Sequence, residues 1–264
     1  MLEKKLNSWS EYMSELKCLL WDVDGTLADT ERDGHRVAFN MAFDEAGHKR
    51  KWDVPTYGEL LAVTGGKERI RFDIDRGGMH EMPAEEIAGL HARKTIHYQT
   101  LIAEGRIPLR SGVRRLLEEA YAAGITLGVA TTTTPSALDA LIEHSLGHEW
   151  FDRFAVLAAG DIVPAKKPAP DIYNYALEKL GISPANTVAL EDSENGWKAA
   201  DAAGIKCVVT VNDYTRVHDF SGADLVVSEF GEAHRDAIEV LDNPHALGNL
   251  HHVQLSHLRQ LLDD

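Results

Sequence analysis

Asp22 and Asp24 stand two residues apart in the run Asp22-Val23-Asp24-Gly25-Thr26, directly after the apolar stretch Cys18-Leu19-Leu20-Trp21. Alternate residues at the end of a strand face one pocket. One such carboxylate can attack phosphorus, and the other can protonate the leaving oxygen and later deprotonate the attacking water. Further along, Leu127-Gly128-Val129-Ala130 ends at Thr131, whose hydroxyl and adjacent N–H groups can hold phosphoryl oxygens. Thr132 and Thr133 join it as substrate contacts. Lys167, just before Pro168-Ala169-Pro170-Asp171, can neutralise charge on a transferring phosphoryl group. Thr187-Val188-Ala189-Leu190 ends at Glu191-Asp192, poor core material but good ligands for Mg²⁺, which takes one or two carboxylates and fills its shell with water and substrate oxygens. Asp22, Asp192 and a backbone carbonyl would meet that need. Each of these stretches taken alone also reads as a solvated turn. Their convergence at strand ends makes the case, because ligands of open α/β sheets bind beyond the carboxyl ends of the strands.

The elements that must position these groups follow from the pattern between them. Cys207 to Val211 and Asp224 to Val227 continue the series of short apolar runs that suits strands buried on both faces. Helical patterns fill the gaps. One is expected after Ser111 as N-cap with Gly124 as its stop, others open at Pro135, Pro170 and Ser193, and Gly181 and Gly204 close the last two. Strand–helix alternation predicts an α/β fold with a doubly wound parallel sheet. Residues 30–107 break the rhythm: Ala38, Met41, Ala42 and Ala46 share one helical face, and Ile87, Leu90, Lys94 and His97 recur at helical spacing. This segment is expected to be an all-helical cap inserted after the first strand, able to close over the strand ends as a lid. The resulting division is 1–16 as an N-terminal extension, 17–29 with 108–230 as the core, 30–107 as the cap, and 231–264 as a C-terminal helical extension.

Of the 264 residues, 27 are Lys or Arg and 42 are Asp or Glu, a formal charge of -15. That balance argues against nucleic acid and anionic membranes as partners. It also requires any phosphate site to be made locally positive by a metal and a few placed cations. No apolar stretch approaches the ~20 residues that span a bilayer. The first sixteen residues read as a short amphipathic helix without the apolar region of a signal peptide, so a cytoplasmic monomer is the expectation. Cys18 and Cys207 lie in apolar runs and are expected to be buried free thiols. The histidines His245, His251, His252 and His257 fit no metal-ligand spacing and are expected on a solvated amphipathic helix.

The order of Asp22-x-Asp24-Gly25-Thr26, Thr131, Lys167-Pro168 and Glu191-Asp192 resembles the haloacid-dehalogenase-like superfamily with a cap at the first insertion position. Within it the chain is similar to the β-phosphoglucomutase-like group, most of all to its CbbY branch, known as xylulose-1,5-bisphosphate phosphatases. The finer resemblance rests on Asp29-Thr30-Glu31, Gly34-His35-Arg36, Phe39-Asn40, Tyr57-Gly58-Glu59-Leu60-Leu61 and Gly65-Gly66-Lys67-Glu68-Arg69. It spans about 17 to 229. It implies Asp22 as nucleophile, Asp24 as general acid/base with its carbonyl on Mg²⁺, Thr131 and Lys167 on the phosphoryl group, Asp192 as a direct metal ligand and Glu191 as one through water. It implies that Gly66, Lys67 and Arg69 hold a second phosphate and that Glu31 and His35 contact the sugar. In many relatives the histidine stands one residue closer to the aspartates than His35 does. The expected activity is hydrolysis of a small phosphorylated sugar, xylulose 1,5-bisphosphate foremost, with a phosphomutase or a non-catalytic phosphate-binding module as the alternatives.

Overall fold

The structure, a computed structural model, describes residues 15–63, 65–77 and 82–263. The helix expected for residues 1–16 therefore falls almost wholly outside the described residues. The first strand, β1 (Cys18–Trp21), is buried along its whole length. Its alternate side chains serve two cores: Leu19 and Trp21 join one cluster, while Cys18 and Leu20 join another on the opposite face. A strand with both faces apolar belongs in the middle of a sheet covered by helices on both sides, and β1 lies there.

From β1 the chain leaves the sheet. Thr30–His35 form a π-helical turn that runs directly into α1 (Arg36–Glu45), followed by α2 (Val54–Leu60), α3 (Gly66–Arg76) and α4 (Ala84–Ala103). These helices have a core of their own, built on Phe39, Phe43, Trp52, Tyr57, Ile70 and Leu90. Asp73 ties it together, accepting from Trp52 Nε1 at 2.6 Å and from Arg76 Nε at 3.0 Å, with Arg50 paired to the same carboxylate. Those bonds, led in effect by that from Trp52, hold Asp73 below the usual carboxylate range in spite of its burial.

The chain re-enters through α5 (Val113–Ala122) and β2 (Thr126–Thr131), then α6 (Pro135–Leu141), α7 (Trp150–Arg153), β3 (Phe154–Ala159), α8 (Asp171–Leu180), β4 (Thr187–Glu191), α9 (Glu194–Ala202), β5 (Lys206–Thr210) and β6 (Leu225–Val227). The sheet runs β3-β2-β1-β4-β5-β6-β7, parallel from β3 to β6, with β7 (Val240–Asp242) antiparallel at the edge. Trp21 pairs in register with Val129 on one side and Leu190 on the other. The residues that end or follow these strands, Asp22, Thr131, Glu191 and Asp192, are thereby brought to one end of the sheet. The expected α/β fold with a doubly wound, largely parallel sheet is present.

Three local expectations are corrected. The strand β3 went unread because Phe154-Ala155-Val156-Leu157-Ala158-Ala159 is alanine-rich and lies at an edge, where strand propensity is weak. The N-cap of α5 is Gly112 in the left-handed region, not Ser111. Among the described residues, the C-terminal stretch carries only a strand and the six-residue α10 (Leu255–Gln260). Pro244 and the positive φ of Ala246 and Asn249 leave no room for a long helix there. Its histidines are not on a solvated helical face either. His245 Nε2 lies 3.0 Å from Asp224 Oδ1, and buried His257 accepts the backbone N–H of Gln254 at 3.1 Å. Arg115 and Glu119 on α5 bond the backbone of Val253 and Leu255, so this tail is fastened to the sheet's outer helix. Cys18 and Cys207 are free and buried, as expected. No helix among the described residues is long and apolar enough to cross a membrane.

Candidate active site

Asp22 is held at the end of β1 by its own N–H, which donates to Leu190 O at 3.0 Å. Its side chain is buried, and Lys167 Nζ donates to its Oδ1 at 2.6 Å. The same ammonium donates to Glu191 Oε1 at 2.6 Å and to Ala130 O at 2.9 Å, so Lys167 spans the ends of β1, β2 and β4. Tyr173 on α8 donates to Glu191 Oε1 at 2.5 Å. Asn212, just past β5, donates to Asp192 Oδ2 at 2.7 Å. Gly25 turns the chain away after Asp24 with φ +87°, and a Cβ there would lie 2.2 Å from Asp192 Oδ2. The turn therefore admits only glycine.

Asp24 sits half-buried on the outer side of this cluster. Thr30 Oγ1 donates to its Oδ1 at 2.5 Å, and the Thr133 hydroxyl donates to its other oxygen. Thr131 is buried, and its hydroxyl accepts the Thr133 N–H at 3.2 Å. Arg110, where the helical segment rejoins the sheet, pairs with Asp29 at 3.2 Å and donates to the Thr210, Val211 and Ser228 carbonyls and to Gly25 O. It pins the loop that carries Asp24 to the ends of β5 and β6.

The electrostatics of the cluster are lopsided. Burial pushes the Asp22 pKa up to about 7; Lys167 pulls against that, while Glu191 and Asp24 add to it. Asp192 is raised well above the carboxylate range by burial and by the facing Asp22 and Glu191. Burial opposes the charge of Lys167 as well, yet Asp22 and Glu191 hold it above the ordinary lysine value. An ion pair should depress the acid as it raises the base. On Asp22 burial outweighs the shared ammonium, and the neighbouring carboxylates add to it. Asp22, Glu191 and Asp192 bring ligand oxygens within 4.8 Å of one another, three buried carboxylates against the one positive charge of Lys167, a surplus of two negative charges when all are ionised. The deficit of two charges and the all-oxygen donor set fit a hard divalent cation.

Above the cluster, a cavity of about 410 Å³ runs between the helical segment and the sheet, lined among others by Asp24, His35, Lys94, Tyr98, Thr132 and Thr133. His35 stacks on Tyr98 with ring centroids 3.9 Å apart, and its Nδ1 lies 2.8 Å from Lys94 Nζ. Burial lowers the His35 pKa to about 3 and that of Lys94 to about 8, and the Lys94 charge lowers the histidine further. His35 is thus a neutral acceptor beside a cation. Glu31 accepts from Tyr57 Oη at 2.6 Å, and Arg69 donates to the same Oη at 2.8 Å. Glu31 and His35 both lie on the π turn over Thr30–His35. A π turn holds one residue more than an α turn, and from this one Glu31 and His35 each line a cavity that Asp24 also lines.

The structure thus gathers Asp22, Asp24, Thr131, Lys167, Glu191 and Asp192, with Glu31, His35, Thr132 and Thr133 at the rim. Gly66 and Lys67 are not among them. Gly66 lies against His91, and Lys67 is exposed on a separate surface hollow beside Arg71 and Phe72. Arg69 is turned inward onto Tyr57, Leu60 O and Val63 O. Sequence reasoning missed Lys94, Tyr98, Asn212 and Tyr173. A lysine on the otherwise apolar stripe of Ile87 and Leu90 was a usable signal for Lys94. Asn212 follows an apolar strand run just as Asp22, Thr131 and Glu191-Asp192 do. Nothing local singles out Tyr98 or Tyr173.

A family model described as haloacid dehalogenase-like hydrolase matches residues 16–204. The protein CbbY of Cereibacter sphaeroides is 47% identical over 219 residues, covering 82% of this chain and 94% of that protein. The plasmid-borne protein CbbY of Cupriavidus necator is 45% identical over 221 residues, covering 82% and 87%. A crystal structure of a CbbY mutant from Rhodobacter sphaeroides in complex with xylulose-(1,5)-bisphosphate superposes with a TM-score of 0.68 at 47% identity, covering 82% of this chain and 96% of that one.

Proposed function

We propose, for a chain that belongs to the haloacid dehalogenase-like hydrolase family, hydrolysis of a small sugar bisphosphate through a phosphorylated Asp22, with xylulose 1,5-bisphosphate as the foremost candidate and xylulose 5-phosphate as its product. Within this family the chain is a phosphatase. The observation that carries the finer reading is the buried carboxylate of Asp22. Lys167 holds it at 2.6 Å, and the Asp24 carboxylate, two residues on, faces a cavity of about 410 Å³.

The roles follow from what each group touches. Lys167 fixes the Asp22 carboxylate and keeps positive charge where the phosphoryl oxygens arrive. Asp22 attacks phosphorus. Asp24, oriented by Thr30 and Thr133, gives its proton to the departing sugar oxygen and then takes one from the water that hydrolyses the aspartyl-phosphate. Thr131, Thr132 and Thr133 offer hydroxyl and backbone N–H groups to the phosphoryl oxygens. Asp22 and Asp192, with Glu191 and the Asp24 carbonyl, would hold Mg²⁺, which when bound supplies the two missing positive charges and screens the phosphoryl oxygens from the carboxylates. His35 faces this cavity and Glu31 a smaller one on the other side of Asp24, both as acceptors for sugar hydroxyls. Lys94 supplies the cation for the remote phosphate in the arrangement seen here, and Arg69 and Lys67 would add theirs only after the helical segment moves inward over the sheet end as a cap.

The test is phosphate release with Mg²⁺ from xylulose 1,5-bisphosphate beside ribulose 1,5-bisphosphate, phosphoglycolate and β-glucose 1-phosphate. A kcat/KM for the xylulose compound at least about 10²-fold above the rest is the expected result, since a polar site rejects compounds that leave its buried groups unpaired. Chelation of the metal should abolish release. Equal, weak turnover of all four would remove the substrate assignment, and glucose 6-phosphate from the last would make the protein a mutase.

A further inference from the structure

Beyond β5 the chain makes a four-residue turn, Asn212-Asp213-Tyr214-Thr215, that belongs to the sheet yet touches the helical segment. Asn212 locks the turn: its Oδ1 accepts from Tyr214 N at 2.9 Å and Thr215 N at 3.2 Å, and Thr215 Oγ1 accepts from Asn212 N at 3.1 Å. The Asn212 amide nitrogen meanwhile holds Asp192 at 2.7 Å. The position of Tyr214 is therefore fixed relative to the metal-ligand candidates by short, rigid links.

From that turn the Tyr214 ring reaches into the aromatic core of the helical segment. It meets Tyr57 edge-on, with centroids 5.8 Å apart at 62°. Gly58 makes room for it, since a Cβ at that position would come within 3.2 Å of Tyr214 Cδ1. Tyr214 lines the cavity of about 80 Å³ that Asp24, Glu31 and Asp192 also line. Its Oη is shielded from solvent and has no hydrogen-bond partner among the described residues. Burial, with Glu31 adding to it, pushes its pKa up to about 12, so it is a neutral donor and acceptor at ordinary pH. Of the buried groups in that condition, it alone borders this cavity. A buried hydroxyl without a partner is costly unless something in the working protein satisfies it.

We propose that Tyr214 is a specificity-determining residue contributed by the sheet: its ring docks the helical segment, and its hydroxyl bonds a hydroxyl on the carbon chain of the substrate, beside Glu31. This rests on the sugar-phosphate reading above, and it adds a contact from outside the helical segment. The contact checks the substrate's hydroxyl pattern at a point fixed to Asp192 and not to the moving part, so discrimination does not depend on the helices alone.

The experiment compares Tyr214→Phe with the unaltered protein on xylulose 1,5-bisphosphate, on its analogues lacking one hydroxyl each, and on acetyl phosphate, which has a reactive phosphoryl group and no hydroxyl chain. Tyr214→Phe keeps the docking ring and should fold. Its ratio of kcat/KM for the bisphosphate over acetyl phosphate is expected to fall about tenfold. Removing one particular hydroxyl from the substrate should cost the unaltered protein a similar factor and cost the variant almost nothing. A purely structural tyrosine would not single out one hydroxyl. If the ratio is unchanged while the unaltered protein prefers the bisphosphate, the Tyr214 inference fails alone. If the unaltered protein shows no preference for the bisphosphate, the substrate reading fails and takes this inference with it.

Discussion

Asp22→Asn is expected to lower kcat for phosphate release by about 10⁴-fold or more, the scale seen when a covalent nucleophile is removed. The substitution keeps shape and hydrogen-bonding capacity and deletes only the charge and the nucleophilic oxygen. Fold stability should not suffer. Asp22 is one of three carboxylates around a single ammonium, and burial already disfavours its ionised form. Lys167 retains Glu191 at 2.6 Å, so no buried cation is stranded. Steady-state phosphate release together with thermal melts checks both halves: activity lost, melting temperature kept or raised. A variant within tenfold of the unaltered kcat would mean that another group attacks phosphorus.

Lys167→Met acts from the other side of the same pair. Methionine fills most of the volume without the charge, leaving Asp22 and Glu191 facing each other in a buried site with no counter-charge. Breaking a buried pair in this way costs about 3–5 kcal/mol, which the site can reduce only by taking up a proton. Lys167 is the strongest influence holding the Asp22 pKa down against burial, so its removal raises that pKa further. The attacking carboxylate must be ionised; a higher pKa therefore moves the acidic limb of the pH–rate profile to higher pH. At neutral pH, kcat should fall about 10³-fold, from the loss of charge on the transferring phosphoryl group combined with a protonated nucleophile. A pH series of kcat and a denaturation curve measure the two effects. Lowered stability with an unmoved acidic limb would show that Lys167 braces the fold without tuning Asp22.

Both substitutions fall on residues that could be read from the sequence, and the reason is topological. In a parallel sheet, buried strands are short apolar runs, and the first polar residues after them sit at the ligand-binding end. Asp22, Thr131 and Glu191-Asp192 are each the first polar residues after such a run, which made them visible. Lys167 follows no strand directly, but the Pro-opened helix after it fixed its place. The helical segment was harder. Its helices were legible from periodicity, yet which of their side chains face the sheet depends on how the segment folds back over it, and that is tertiary. Lys94 enters the cavity, whereas Lys67 lies exposed away from it, though the motif around Lys67 is the more conspicuous in sequence. The π turn at Thr30–His35 shows the same limit: composition does not distinguish it from an α turn. Tyr214 and Asn212 act through a turn whose geometry comes from side-chain to backbone bonds, and turn geometry of that kind is not periodic.

The measurement closest to the central claim is the stereochemical course at phosphorus, using a substrate made chiral at the transferred group with oxygen isotopes and sulfur. Attack by Asp22 followed by attack of water gives two in-line displacements, each inverting the centre. The expected result is net retention of configuration in the released phosphate. Net inversion would mean that water reaches phosphorus in one step, and the phosphorylated Asp22 would have no place in the reaction.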